Sequence, residues 1–182
     1  MRNIRFAKKR KQIHTTYFLL CMLVMIIDQA SKFHAINNLN IYEVFQVFPC
    51  VNFILSFNKG ISFSMFDSSS SIFIIGISIF CISLLIWAYL RFNDSIERLF
   101  LSLIVGGAIG NIVDRFTHGA VVDFIDVYIP SSMLSRVNSY IQIFSSQVIF
   151  SDWHFPTFNI ADSFITVSTI GLIFYNLFKK NS

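Results

Sequence analysis

The sequence predicts an all-α polytopic membrane protein: four transmembrane helices with a small extracytoplasmic β element and loop region. Three observations predict it. The chain is 54% hydrophobic and only 13% charged, with 22 Phe and a mean hydropathy of +0.64, where ordinary soluble domains carry roughly 25% charged residues. Four apolar runs approach the about 20 residues that cross a bilayer core of about 30 Å. Ten of the 14 Lys and Arg fall in segments that four crossings place on one side, as in cytoplasmic loops. A soluble fold of this composition lacks the polar surface to cover itself, whereas in lipid the apolar side chains face outward and helices satisfy their own backbone groups.

Residues 1–14 form a basic tail with Arg2, Arg5, Lys8, Lys9, Arg10 and Lys11. Such a tail can bind nucleic acid, but here it runs straight into an apolar segment and reads as an orientation signal, so no nucleic-acid partner is expected. The first span covers about 15–33. Its basic stretch, then Tyr17 to Ile27, then Ala30 and Ser31 imitate a cleavable leader. Three further spans, and charges where a small-residue cleavage site would lie, argue against cleavage. The later spans cover about 71–90, 99–116 and 160–178. Gly106, Gly107 and Gly110 weaken the third as a helix while letting a neighbour approach closely.

Arg91 and Arg98 follow span two, and Lys179 and Lys180 follow span four, so both termini are expected in the cytoplasm. Trp87 and Tyr89 read as a headgroup-level anchor on that side. The long connections, about 34–70 and 117–159, are then extracytoplasmic. Val51 to Phe57 reads as strand at the membrane surface, and Ser68 to Ser71 as a polar hinge. Residues 1–182 are expected to form one membrane domain without internal repeats. Cys21, Cys50 and Cys81 show neither a disulfide framework nor metal spacing and read as small buried hydrophobes.

A charge at the centre of a membrane helix costs about 2.5 to 3.5 kcal/mol, so charges that orientation does not explain point to function. Lys32, Lys59, Arg115 and Arg136 are the basic residues on the other side. Asp28-Gln29-Ala30-Ser31-Lys32 places Asp28 and Lys32 four apart on one helix face, as a local ion pair or as a device that orients a loop or substrate. Asn58-Lys59-Gly60-Ile61-Ser62-Phe63-Ser64 joins an amide, two hydroxyls and a glycine suited to positive φ. Gly106-Gly107-Ala108-Ile109-Gly110-Asn111-Ile112-Val113-Asp114-Arg115 carries Asn111 and Arg115 four apart, with Arg115 able to snorkel outward. Gly119-Ala120-Val121-Val122-Asp123-Phe124-Ile125-Asp126 follows. Asp123 sits among apolar neighbours, where burial raises a carboxyl pKa, while Asp126 is expected to face water. In Phe155-Pro156-Thr157-Phe158-Asn159-Ile160-Ala161-Asp162-Ser163, Asn159 can cap a helix whose first turn holds Asp162. If spans three and four are neighbours, Asp123 and Asp162 lie at one membrane surface, and two close carboxylates share a proton.

Together and in this order, "DQASK", "NKGISFS", "GGAIGNIVDR" with "GAVVDFID", and "FNIADS" resemble the sequence blocks of lipoprotein signal peptidases (signal peptidase II), aspartic peptidases of the bacterial inner membrane. The resemblance touches all four spans and both long connections. It implies that Asp123 and Asp162 are a catalytic dyad at the outer face. It further implies that Asn111, Asp114, Arg115 and Asn159 support the dyad and that Asp28, Lys32, Asn58 and Gly60 shape the site. It implies no metal or cofactor, diacylglyceryl prolipoprotein substrates cut on the amino-terminal side of the lipidated cysteine, contact with membrane lipid, and inhibition by globomycin-like cyclic peptides. Two features depart from the family pattern: Ser62 stands where relatives commonly have alanine, and the stretch from about Pro130 to Asp152 is long. Two other readings compete. Intramembrane Asp, Lys and Arg also mark small proton- or ion-coupled transporters, and a metal-dependent hydrolase would use Asp123, Asp126 and Asp162 with His118 or His154, although helically spaced His or Cys ligands are missing.

Overall fold

A computed structural model describes residues 2–60, 70–92, 94–133 and 152–179, with the backbone alone for 2–13 and 70–72. The side chains of the basic tail, Ser62, Ser64, Arg136, Lys180, Ser68 and Ser69 of the polar hinge, and most of the 130–152 stretch lie outside the described residues. Four long helices and a small antiparallel sheet make up the chain: α1 (Arg2–Asn38), β1 (Phe45–Phe48), β2 (Val51–Asn58), α2 (Ser70–Arg91), α3 (Ser95–His118), β3 (Val121–Ile129), β4 (Trp153–His154) and α4 (Ile160–Lys179). Each helix contains a stretch long and apolar enough to cross a membrane, namely His14–Asn38, Phe73–Arg91, Ser95–His118 and Ile160–Lys179.

The fold class follows the sequence, but α1 extends further than its apolar run. The basic tail and the polar turn ending at Asn38 join one continuous helix, because neither contains a proline or glycine to interrupt it. Every residue of the apolar stretch of α2 escapes burial. Many of its side chains, including Phe73, Phe80, Leu84 and Leu90, are exposed and the rest half-buried, as suits a helix that is apolar all round and meets lipid. Cys81 is therefore exposed on α2 and Cys50 half-buried in the β1–β2 turn, so of the three cysteines only Cys21 is a buried hydrophobe.

The bundle is organised around α3, which packs against α1, α2 and α4. Gly106 and Gly107 make this possible. A Cβ at Gly106 would stand 2.6 Å from the Cys21 carbonyl oxygen of α1, and one at Gly107 would stand 2.7 Å from the Ala161 carbonyl oxygen of α4. Backbone-to-backbone approach through small residues is how membrane helices gain dispersion contacts that lipid cannot match.

At the end of the bundle away from the sheet, Asp94 caps α3 by accepting from the backbone N–H of Ile96 (2.8 Å) and Glu97 (3.3 Å). It also accepts from the Tyr175 hydroxyl at 2.9 Å and from Lys179 at 3.1 Å. Donation by Tyr175, then by Lys179 and the capped backbone, holds the Asp94 carboxyl down at about 2. Tyr89 turns inward there, meeting His14 Nδ1 at 2.9 Å with the Arg98 guanidinium over its ring. Trp87 stays exposed under Arg91. Only Trp87 thus has the exposure of a headgroup anchor, because Tyr89 finds a polar partner inside the bundle.

The sheet runs in the order β1-β2-β3-β4, antiparallel throughout. β2 covers the expected Val51 to Phe57 run and adds Asn58. β3 was not foreseen: a β-branched segment expected as connection pairs with β2, Ser56 opposite Asp123 and Asn58 opposite Val121. Its first four residues are all buried, which masks the two-residue alternation that marks a half-exposed strand. Gly119, at φ 69°, ends α3 in the left-handed conformation and turns the chain directly into β3.

The two kinds of glycine predict opposite outcomes. Gly107→Val should lower the thermal midpoint in detergent by several degrees, through an overpacking cost of about 1 to 3 kcal/mol. Gly76→Val, where nothing lies within 4 Å, should leave it nearly unchanged. Equal midpoints for the two variants would refute the close-approach account.

Candidate active site

Lys32 is the centre of the polar cluster at the sheet end. Its side chain is 2% exposed, and its ammonium reaches Asp28 Oδ2 at 2.7 Å, Asp114 Oδ2 at 2.7 Å and Asn111 Oδ1 at 2.9 Å. Three protons therefore meet three acceptors. Asp28 accepts on its other oxygen from the backbone N–H of Ala161 at 2.8 Å, fixing the first turn of α4 to α1. Asp114 accepts from the Val122 N–H at 3.1 Å and from the Gln29 amide at 2.8 Å, fixing β3 to α3. The i,i+4 pair of the sequence is thus one edge of a junction joining three helices and the sheet. A side chain at Gly110 would run into the Asp28 carboxylate, so the third glycine makes room for that junction.

From Lys32 a chain of amides leads to the two candidate aspartates. Asn111 donates to Asp162 Oδ1 at 2.8 Å. Asn159 donates to Asp123 Oδ1 at 2.8 Å, with the Asn111 oxygen at 3.1 Å and the Val122 carbonyl at 3.2 Å from the same nitrogen. Asn159 also caps α4, its side-chain oxygen accepting from the Asp162 N–H at 2.9 Å. The second oxygen of Asp123 accepts from Asn58 at 3.0 Å, and the Asn58 oxygen accepts from the Gly60 N–H at 2.8 Å, with Gly60 at φ 76°. Arg115 donates to the Asn111 carbonyl at 3.3 Å and remains half-buried, its charge within reach of Asp162, Asp114 and Asp123. All ten residues singled out at this surface, Asp28, Lys32, Asn58, Gly60, Asn111, Asp114, Arg115, Asp123, Asn159 and Asp162, belong to one connected constellation. Gln29, which sequence reasoning passed over, belongs to it too. Its polar side chain one residue from Asp28 was the available signal.

Asp123 is 1% exposed. Burial pushes its carboxyl up to about 6, Asn58 pulls the other way by donating to the ionised form, and the Asp162 charge raises it again. Asp162 is half-buried and lines a groove of about 480 Å³ with Phe155, Phe158, Ser163 and Val167. One carboxyl is therefore enclosed while the other looks into an open channel, an arrangement that separates the tasks of proton donor and water-activating base.

Asp126 contradicts its expected exposure. It is 1% exposed, accepting from Asn52 at 2.8 Å and meeting His154 Nδ1 at 2.9 Å. Its partners are thus Asn52 and His154 rather than the amides that hold Asp123. His118 instead lies edge-on to Phe57. Among the described residues no three His, Cys, Asp or Glu come together as metal ligands.

A model of the signal peptidase (SPase) II family matches residues 20–178. The chain belongs to the signal peptidase II family. It is 34% identical over 171 residues to the lipoprotein signal peptidase of Polynucleobacter necessarius subsp. necessarius, covering 90% of each chain. It is 36% identical over 168 residues to that of Coxiella burnetii strain Dugway 5J108-111, again covering 90% of each. A bacterial membrane enzyme solved by the in meso method at 1.9 Å superposes with a TM-score of 0.69 at 29% identity, over 90% of this chain and 92% of the other. The protein is thus a peptidase of a bacterial membrane, and the carrier reading does not stand. Among the described residues its charged side chains gather at the two ends of the bundle rather than at mid-depth, in a family of proteases.

Removing the hub should be costly. Lys32→Met strands two buried carboxylates, for which a stability loss of about 3 to 5 kcal/mol is expected in denaturation of the detergent-purified enzyme. A loss under about 1 kcal/mol would show that the junction does not depend on that ammonium.

Proposed function

We propose that the peptidase removes the signal peptide of diacylglyceryl-modified prolipoproteins, cutting on the amino-terminal side of the lipidated cysteine, with Asp123 and Asp162 as its catalytic dyad. The observation that carries the reading is the amide bridge Asp162–Asn111–Asn159–Asp123, which holds the two carboxylates in one site from a helix start and a strand. The names of the relatives, lipoprotein signal peptidases, support the substrate class.

In this mechanism Asp162 takes a proton from a water in the open groove as its oxygen attacks the scissile carbonyl. Asp123 gives its proton to the carbonyl oxygen. Collapse of the resulting diol breaks the C–N bond, with the Asp162 proton passing to the leaving amine of the cysteine and a diol proton returning to Asp123. Lys32 and Arg115 offset only part of the charge of Asp28, Asp114, Asp123 and Asp162, and the remaining negative charge favours keeping one proton on the dyad. By the Lys and Arg distribution the tail and both termini lie in the cytoplasm and the dyad at the outer face of the inner membrane. Outside water then reaches a bond anchored in lipid. Globomycin-like cyclic peptides are the expected inhibitors.

Asp123→Asn and Asp162→Asn should each lower cleavage of a diacylated prolipoprotein peptide by at least about a thousandfold while the protein still inserts, since each removes one of two roles that act as a unit. Arg91→Ala, at the far end, should be silent. Near-normal turnover by either Asn variant would remove that residue from the dyad.

The pH dependence has a definite sign. With Asp123 raised to about 6, its proton is present below that pH and lost above it, so kcat/KM of the free enzyme should fall as pH rises through about 6. Asn58→Ala removes a donor that favours the ionised form, so the inflection should move to higher pH. An inflection that stays in place or moves down would show that Asp123 does not set it.

A further inference from the structure

Next to the residues flanking the proposed dyad, a second cavity of about 550 Å³, sharing no lining residue with the Asp162 groove, opens between the sheet end of α1, the sheet and the base of α4. Its walls are Ala35 and His34 of α1, Phe45 of β1, Phe53 of β2, Phe124 of β3 and Ile160 of α4. Two of these adjoin the machinery directly. Phe124 follows Asp123, and Ile160 follows Asn159.

Three polar side chains, Ser31, His34 and Asn38, touch this cavity, and they bond to α1 and to each other. The Ser31 hydroxyl donates to the Asp28 carbonyl at 2.7 Å, and the Asn38 amide donates to the His34 carbonyl at 2.8 Å and meets His34 Nδ1 at 3.2 Å. An occupant therefore finds walls that are mostly apolar, which selects hydrocarbon. Around it Phe33, Ile41, Val44 and Phe48 are exposed at the sheet end of α1 and around β1, an apolar surface through which a lipid tail can enter from the bilayer.

The size excludes a helix. A helix with its side chains is about 10 Å across, and at that width the cavity would hold only a length of about 7 Å, under two turns. A single flexible chain fits instead.

We propose that this cavity seats an acyl chain of the substrate's lipidated cysteine, and so measures chain length next to the scissile bond. The assignment rests on the peptidase reading above and adds the site of lipid recognition. The groove on the Asp162 side is left for the peptide. Ala35 is the residue that sets the depth on the α1 wall, and Phe53, edge-on to Phe124 at 5.8 Å, sets it on the sheet wall.

The test uses the full chain in detergent micelles and two synthetic peptides that differ only in their S-glyceryl esters, dipalmitoyl and dioctanoyl. Each methylene that can no longer be buried lowers binding about fourfold. Ala35→Leu should therefore cut kcat/KM on the dipalmitoyl peptide at least tenfold, while the dioctanoyl peptide stays within twofold. Phe53→Ala enlarges the cavity and should shift the palmitoyl-to-octanoyl ratio the other way. Equal effects on both peptides in both variants overturn the acyl-seat assignment, as does an unchanged ratio. If the unaltered enzyme cuts neither peptide, the peptidase reading itself fails, an outcome separate from any change of ratio.

Discussion

One buried ammonium organises the site. A lysine at this depth is tolerable only because its three protons all find acceptors, and each acceptor anchors a different part of the molecule. Asp28 holds the backbone of α4 through Ala161, Asp114 holds β3 through Val122, and Asn111 reaches toward Asp162. The cost of placing charge in a low-dielectric interior is turned into geometry, since any shift of one helix would leave a charge unpaired. The two candidate aspartates inherit this rigidity. Neither contacts Lys32 directly, yet both are held by amides whose own orientation depends on it.

The amides make the constellation selective about protonation. Asn58 and Asn159 donate to Asp123, and Asn111 donates to Asp162, so each carboxyl keeps one oxygen or one direction free for a reacting group. Neutral donors steady a carboxylate without the full pull of a cation, which leaves burial to dominate at Asp123. A lysine in direct contact would have kept that group ionised and unfit for the proposed role of proton donor.

Much of this was legible in the sequence because lipid imposes simple rules. Four apolar runs of spanning length, charges gathered into short blocks, and glycines clustered in one span translate into helices, a polar end and close packing with few alternatives. Asn159 as a cap and Gly60 at positive φ were equally readable, being local backbone requirements. What escaped was long-range. β3 was hidden because its leading residues are buried on both faces and show no alternation. Asp126 was misplaced because its partner His154 lies 28 residues away, and the reach of Lys32 to Asp114 across two helices leaves no trace in local spacing. The pairing of strands and the meeting of helices decide such contacts.

The order in which the parts of the site occur along the chain has its own consequence. Asp28 and Lys32 emerge first, Asn111 and Asp123 later, and Asn159 with Asp162 only at the last helix. The contact between Asp28 and Ala161 spans 133 positions of a 182-residue chain. A ribosome that has released the first three helices into the bilayer has therefore made a scaffold that still lacks Asn159 and Asp162. With the proposed dyad, the hydrolase stays silent through most of its own biosynthesis and becomes active when its final segment is threaded in.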